Sequence, residues 1–499
     1  MIDLCSSISA KEADQKTIAR GETAENLMRL VALGVLENAP FREGKTLIVC
    51  GKGGNGGDGY CLYLLMKEKG YSVSVLEFGE PQNPAAAFYR AACGEEVLSY
   101  RSDFDFSAYA NIVDCIFGIG LSRPVSGDYL ECIKKINASK AFVVSVDIAS
   151  GLSADSGKIL GAAVKADVTF AVQNLKLGHF LSDGLDCSGE IGVLPVGIDP
   201  ATAELEMIED EDVAKLFPPL KRNVHKGDLG RLSILAGSDS FSGAAVLAEM
   251  GAAAFALGDG LVKLCVPDSI LYSVMNKITE CTLLALPSAD GKILFSEPYL
   301  DKAISGASAV LFGNGVDLSE NGAHILRYLV KNVKCPLVLD ADGLNLLSSD
   351  PFLLKERSGA TVVTPHPKEL SRLLGVPVGE ILSEPLSYAK EFAARFGVTI
   401  LLKGASTIVT DGKRAYLSKT GSPGMAKGGS GDLLAGAIAA ILAGGRDPIE
   451  SAYGAAYVLG VAGEYASEEV GAYSALPSDT ARYIAKAVKF FAEKVANNT

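Results

Sequence analysis

The chain has 499 residues, 48% hydrophobic and 21% charged, with a formal net charge of -13 and no tryptophan. That length exceeds what one hydrophobic core ordinarily organises, so two domains are expected. The acidic balance argues against nucleic acid or an anionic membrane surface as a partner, because either would need clustered Lys and Arg.

In chain order, residues 10–39 show helical spacing and predict one or two leading helices. From Thr46 short apolar runs alternate with helical segments: Thr46–Cys50, Val73–Phe78, Ile112–Ile116, Ala141–Asp147, Asp167–Val172 and Glu190–Pro195. Strands spaced by helices predict parallel βαβ units in a doubly wound sheet. Asp199–Pro219 is acidic, ends in Phe-Pro-Pro and reads as a linker. The rhythm then restarts with Arg231–Ala236, Leu261–Val266, Ala309–Phe312, Pro336–Asp340, Ala360–Thr364 and Thr399–Lys403. The expected organisation is two α/β domains, 1–210 and 211–499.

The halves differ in charge. Residues 1–210 carry 18 Lys and Arg against 29 Asp and Glu, and residues 211–499 carry 28 against 30, so the second half is the more hospitable to a polyanionic ligand. Ten cysteines without a C-x-x-C pair and only four histidines suggest neither a disulfide framework nor a zinc cluster. Asp3, Lys11, Glu12 and Asp14 around the first apolar stretch do not make a signal peptide. The longest apolar run, Leu433 to Ala443, falls well short of the ~20 residues that span a membrane. A cytoplasmic protein without membrane partners is expected.

In the first half, Gly51-Lys52-Gly53-Gly54-Asn55-Gly56-Gly57-Asp58-Gly59 follows a predicted strand and opens a helix. It fits the dinucleotide fingerprint G-x-G-x-x-G, with Glu77 where a ribose-binding acid would stand. Asn55 and Asp58 are polar groups that a plain pyrophosphate turn does not need, so a different ligand site competes with that reading. Asp114 and Asp147 end two further predicted strands, the latter followed by Ile148-Ala149-Ser150-Gly151. The carboxyl ends of parallel strands line the ligand crevice, so these groups should converge there. Carboxylate, amide and hydroxyl oxygens are hard donors suited to a hard cation. Taken singly, either acid is as readily a helix cap.

The second half is densest in signal at Gly421-Ser-Pro-Gly-Met-Ala-Lys-Gly-Gly-Ser-Gly-Asp432, a glycine-rich loop running into an apolar helix with one acid at the junction. Glycines let successive N–H groups approach an anion, the helix N-terminus is partly positive, and a carboxylate there can handle a proton. Other predicted strand ends carry Asn223-Val-His-Lys-Gly-Asp-Leu-Gly230, Asp340-Ala-Asp342, Thr364-Pro-His366-Pro and Lys403-Gly404-Ala405-Ser406-Thr407. Bland readings stand beside these: Asp340 and Asp342 as helix caps, His366 as a turn residue, Lys403 as a surface charge. No G-x-x-x-x-G-K-[ST] occurs, so a P-loop enzyme is excluded.

On these motifs the first half resembles the NAD(P)H-hydrate epimerase domain, and the second resembles the ribokinase-like superfamily, within it the ADP- or ATP-dependent NAD(P)H-hydrate dehydratases. The resemblance implies a Rossmann-like sheet followed by a ribokinase-like α/β domain. It implies that Gly54, Asn55, Gly56, Gly57, Asp58, the loop Gly118, Ile119, Gly120, Leu121, Ser122, Arg123 and Pro124, and Asp147 contact hydrated NADH or NADPH. Asn55, Asp114 and Ser150 would hold K⁺. In the second half Lys403, Gly404, Ala405, Ser406, Thr407 and Gly431 would bind ADP or ATP with Mg²⁺, Ala245, Gly315 and His366 would line the hydrate pocket, and Asp432 would face the reacting hydroxyl. A homo-oligomer is also implied. Gly54, Ala149, Ile119, Arg29-Leu30, Asn314 and Lys368 depart from the family's pattern.

The implied mechanism has Asp432 take the proton of the hydrate's C6 hydroxyl while a nucleotide phosphoryl, held by Gly428–Gly431 N–H groups, is transferred to it; phosphate then leaves. For the epimerase, Asp147 and Asp58 are both candidates to move the proton. The alternative is a ribokinase-like small-molecule kinase with an N-terminal dinucleotide-binding domain.

Overall fold

The computed structural model describes residues 1–225, 229–254 and 260–497. It divides into two compact units, Asp3–Leu205 and Glu206–Thr499, with Met1–Ile2 counted in the second.

The first unit is built on seven strands: β1 (Thr46–Cys50), β2 (Val73–Glu77), β3 (Leu98–Ser99), β4 (Asn111–Cys115), β5 (Phe142–Val146), β6 (Val168–Val172) and β7 (Glu190–Leu194). Their order is β3-β2-β1-β4-β5-β6-β7, parallel throughout. The central strands β1 and β4 are buried at every position, as apolar runs must be when helices cover both faces. The order reverses between β1 and β4, and the ends of these strands define the crevice where ligands bind in such sheets. Three helices flank that crevice: α1 (Ser7–Ala19), capped by Ser6, α2 (Ala24–Asn38), capped by Thr23, and α3 (Gly54–Glu68), which opens directly from the glycine turn.

The second unit carries β8 (Arg231–Leu235), β9 (Leu261–Pro267), β10 (Thr282–Leu286), β11 (Ala309–Phe312), β12 (Leu337–Leu339), β13 (Thr361–Val363), β14 (Thr399–Leu402), β15 (Thr407–Thr410) and β16 (Ala415–Ser418). They run in the order β10-β9-β8-β11-β12-β13-β14-β15-β16. Pairing is parallel up to β14, and β15 and β16 continue as an antiparallel hairpin. One face is covered by α4 (Ser242–Ala254) and α7 (Ser430–Ala443), whose Gly436 and Gly251 allow backbone contact: a Cβ there would lie 1.9 Å from the Ala248 carbonyl oxygen and 2.1 Å from that of Leu433. This close seating explains why the segment after Asp432 is almost entirely Ala, Gly, Leu and Ile. Between them in sequence lie α5 (Asp342–Leu347) and α6 (Pro367–Leu374).

Twelve predicted strands form, most of them trimmed by a residue or two. The hairpin β15–β16 and strands β3 and β10 were not expected. Asp199–Pro219 is a more definite correction: it holds a strand, Leu205–Met207, and a helix, Asp210–Ala214, whose Asp212 and Val213 are buried. Acidic composition there reflects a helix N-terminus with Asp and Glu in its first turn rather than a free linker.

Candidate active sites

In the first unit, a crevice of about 850 Å³ is lined by Gly54, Asn55 and Asp58, by the loop Gly118, Ile119, Gly120, Leu121, Ser122 and Arg123, and by Asp147. Pro124 is exposed beyond it. Gly56 and Gly57 do not line it; their Cβ positions would strike the Gly51 carbonyl oxygen at 2.0 Å and the Met28 sulfur at 2.6 Å, so they serve the packing of α3. Glu77 is consumed elsewhere: Arg90 binds both its oxygens, at 2.6 and 3.0 Å, and Tyr60 donates to it at 2.9 Å. Glu77 is therefore not free to bind a ribose, which removes the observation that favoured a plain dinucleotide turn.

Asp147, just past β5, has a left-handed backbone (φ 72°) that turns its side chain back over the sheet end. Lys176 Nζ donates to its Oδ1 at 2.5 Å, Ile119 N–H to its Oδ2 at 3.3 Å, and His179 Nε2 lies 2.9 Å from its carbonyl oxygen. Burial alone would raise the Asp147 carboxyl, but the Lys176 charge holds it below its ordinary value. Asp58 is the opposite case. Burial and the Asp147 and Asp14 charges push it well up, and Asp14, on α1 and facing the same crevice, rises to about 6 for similar reasons. Carboxyls pushed in opposite directions therefore face the same space, the arrangement that divides base from acid. Lys176, His179 and Asp14 escaped the sequence reading. The available signal was a lysine inside the apolar run Asn174-Leu-Lys-Leu-Gly-His179, where an unpaired charge would be costly.

Asp114 is fully buried and accepts four hydrogen bonds: from Ser150 Oγ and Ile116 N–H on Oδ1, and from Ser145 Oγ and Ser150 N–H on Oδ2. It has no cationic partner among the described residues, and burial raises its carboxyl. Asn55 lies next to Gly118, its Nδ2 donating to the Val146 carbonyl at 3.1 Å, while its buried Oδ1 has no partner. A buried carboxylate with hydrogen bonds but no cationic partner among the described residues, an orphaned amide oxygen and the Ser150 hydroxyl are the donor types a hard monovalent cation takes.

In the second unit, Lys226, Gly227 and Asp228 of the Asn223–Gly230 motif lie outside the described residues. The other motifs meet. Lys403, after β14, is not a surface charge: its Nζ donates to Asp340 Oδ1 at 2.8 Å and lies 3.8 Å from Glu369. Burial works against the Lys403 charge, but these carboxylates raise it above its ordinary value. Asp340, 1% exposed, also accepts from Thr364 Oγ1 at 2.7 Å. Neither Asp340 nor Asp342 caps a helix; Asp342 Oδ2 accepts from Asp317 N–H at 2.9 Å and so pins the loop after Gly315. His366 caps α6, its Nδ1 accepting from Lys368 and Glu369 N–H, and its other nitrogen stands 3.5 Å from Glu369. Burial and the Lys403 charge lower it. Gly404 and Ala405 are exposed in the turn between β14 and β15, with Ser406 buried and Thr407 opening β15. Ala245 is fully buried on α4, and a Cβ on Gly315 would lie 2.6 Å from that of Phe241 and 2.9 Å from that of Ala244, so that loop abuts the start of α4.

Gly429, with φ 99°, caps α7, and a Cβ on Gly431 would lie 3.4 Å from Lys403 Nζ. The helix N-terminus thus points at the same spot as the lysine, which suits a phosphoryl group. Asp432 stands in the first turn, half-buried, with burial and then the Asp340 charge raising its carboxyl to about 6 against a hydrogen bond from Asn314. The only sequence signal at Asn314 is its departure from the family's pattern.

Residues 232–486 match the family model described as NAD(P)H-hydrate dehydratase, and residues 23–178 the one described as YjeF-related protein N-terminus. The bifunctional NAD(P)H-hydrate repair enzyme Nnr of Thermofilum pendens is 33% identical over 462 residues, covering 89% of this chain and 88% of that one. This chain belongs to the family of bifunctional NAD(P)H-hydrate repair enzymes. The Escherichia coli member is 32% identical over 443 residues, 87% of this chain and 83% of its own. The ADP/ATP-dependent NAD(P)H-hydrate dehydratase of Bacillus subtilis, crystallised with ATP/Mg²⁺, aligns with a TM-score of 0.50 at 29% identity, over 57% of this chain and 99% of that one. The two family models thus cover both clusters: Asn55 to Lys176 in the first unit, and Asn314 to Asp432 in the second. Among the described residues no helix is long and apolar enough to cross a membrane.

Proposed function

We propose that the chain repairs hydrated NADH and NADPH, interconverting the C6 epimers in the first unit and dehydrating one of them in the second at the expense of ADP or ATP. Membership of the repair family supports the reaction class. The observation that carries the dehydratase assignment is Asp432, a carboxylate raised to about 6 at a helix N-terminus whose Gly431 abuts Lys403. Mg²⁺, bound with the nucleotide, would supply positive charge to its phosphates. Lys403–Thr407 and Gly431 bind the nucleotide, and Gly315 and His366 border the hydrate; Ala245, fully buried beside Gly237, has no surface to offer it. Asp432 accepts the hydroxyl proton as the terminal phosphoryl bonds to the C6 oxygen and its bond to the bridging oxygen breaks, AMP leaving from ADP or ADP from ATP. The ring nitrogen's lone pair then expels phosphate and the C6 proton-bearing ring returns to dihydronicotinamide after loss of the adjacent proton.

In the first unit, Asp58 is suited to protonate the C6 hydroxyl as it leaves as water, the ring nitrogen forming a double bond to C6. Water adds to the opposite face while Asp147 takes its proton, and exchange with solvent resets the two acids. K⁺ held by Asn55, Asp114 and Ser150 would supply positive charge beside the ligand's phosphates. A homo-oligomer working in the cytoplasm is part of the proposal.

Mixed epimers of NADPH hydrate, incubated with ADP and separately with ATP, test it. Full recovery of NADPH absorbance with release of free phosphate is expected. A stable phosphorylated product would instead establish the kinase reading, and recovery of only one epimer's share would show the first site to be silent.

A further inference from the structure

Asn314 sits in the loop after β11, flanked by Gly313 and Gly315, and is fully buried. Its Nδ2 donates to Asp432 Oδ1 at 2.7 Å and to Asp340 Oδ2 at 2.9 Å. Its own Oδ1 is buried and has no partner. Two carboxylates facing one end of the amide settle its orientation, since the reverse would set an oxygen against two anions. The loop itself is held: Gly237 N–H donates to the Asn314 carbonyl at 2.9 Å, and Asp342 accepts from Asp317 on its far side. The amide is therefore a rigid bridge, and it has left an acceptor unsatisfied to serve as one.

We infer that Asn314 is a positioning residue of the dehydratase centre, holding Asp432 by Oδ1 so that Oδ2 is the oxygen presented to the substrate hydroxyl. The inference rests on Asp432 being the proton acceptor. An Asp in the first turn of a helix has its own helix N–H groups as competing partners, and a carboxylate turned onto them would be withdrawn from the reacting oxygen and would occupy the donors that a phosphoryl needs. The Asn314 bond, to a side chain fixed from a different strand end, holds it away. Asp432 also faces Asp340 and Asp342 on the acidic side and Lys403 on the basic side. Without the intervening N–H groups, Asp340 and Asp432 meet as like charges, and the ionised form of Asp432 loses its one direct hydrogen bond among the described residues.

The test compares wild type with Asn314→Ala, which removes the donor without adding bulk, and Asn314→Ser, which restores a single O–H donor. All are assayed on NADPH hydrate with MgADP. Asn314→Ala should lower kcat about 10- to 100-fold with KM for hydrate and nucleotide within about threefold of wild type, because geometry in the transition state is lost while binding is retained. The acid limb of its kcat/KM profile should move up by about one pH unit. Asn314→Ser should fall between the two. An ADP-dependent rise in melting temperature reports that the variants fold; if Asn314→Ala does not show one, the comparison passes to Asn314→Ser, which should show the same shifts in smaller measure. Wild-type kcat and an unmoved acid limb in the folded variants overturn the inference, as does a loss confined to KM. Absence of turnover by wild type with ADP and with ATP overturns the proton-acceptor reading itself, and the role of Asn314 with it.

Discussion

Lys176 and Asp147 form an ion pair at 2.5 Å with the lysine only 2% exposed. The Lys176 ammonium also donates to the Val172 carbonyl at 3.0 Å, so the charge is held from both the carboxylate and the end of β6. A pair this deep is not a cheap source of stability, because both ions are taken out of water. Its consequence is electrostatic: the Lys176 charge holds the Asp147 carboxyl below its ordinary value, where burial and the Asp147 and Asp14 charges push Asp58 up.

Removing the lysine should leave that carboxylate buried and unpaired. Lys176→Met is expected to destabilise the first unit by about 3–5 kcal/mol, or to leave Asp147 protonated, and in either case to abolish interconversion of the epimers. Melting temperature and the rate of epimer exchange, followed together, check this. A stable variant with wild-type exchange would show that Asp147 need not be ionised.

Asp432→Asn should reduce NADPH recovery by about 10²- to 10⁴-fold while epimer exchange continues. In the wild type, kcat/KM for the dehydratase should be level at neutral pH and fall as the pH drops through about 6, since a proton acceptor must be ionised and the Asp432 carboxyl is raised to about 6. A profile flat down to pH 5 would contradict its role.

Asn55 tests the cation site. Potassium should raise the melting temperature of the wild type relative to lithium at equal ionic strength, by the ordinary linkage of a ligand that binds only the folded state. Asn55→Leu, which removes the orphaned Oδ1, should abolish that difference; equal potassium response in both proteins would place the ion elsewhere or nowhere.

Glu249, on α4 and 3% exposed, has an Oε1 without a partner, and burial followed by the Glu280 charge raises its carboxyl to about 7. Its folded value lies above its unfolded value, so the fold is favoured most below about pH 4.5 and this contribution is lost as the pH rises through 7. Glu249→Gln, which does not titrate, should be more stable than wild type at pH 8, by up to about 3 kcal/mol, with the gap closing toward pH 5. Chemical denaturation across that range measures it.

Much of the architecture is set by local pattern. Apolar runs of four to seven residues separated by helical spacing are enough to predict parallel strands, because only strands covered on both faces need such runs. The ends of those strands, at Asp114, Asp147, Asp340, Thr364 and Lys403, could be picked out because ligand chemistry collects there, and the Gly421–Asp432 run is specific enough to carry a family. What the sequence could not contain is which charges cancel. Lys403 reads equally as a surface lysine until Asp340, 63 residues away, is found against it. Glu77 reads as a ribose acid until Arg90 is found to occupy it. Lys176 carries no motif and Asn314 only a departure from the family's pattern, and their importance lies wholly in distances of 2.5–2.9 Å to carboxylates at other strand ends and in the first turn of α7. Residue type and spacing determined the scaffold and the chemical inventory. The protonation state and aim of each acid were decided by the tertiary structure, because burial and neighbouring charge act through space over a few ångströms and are blind to separation along the chain.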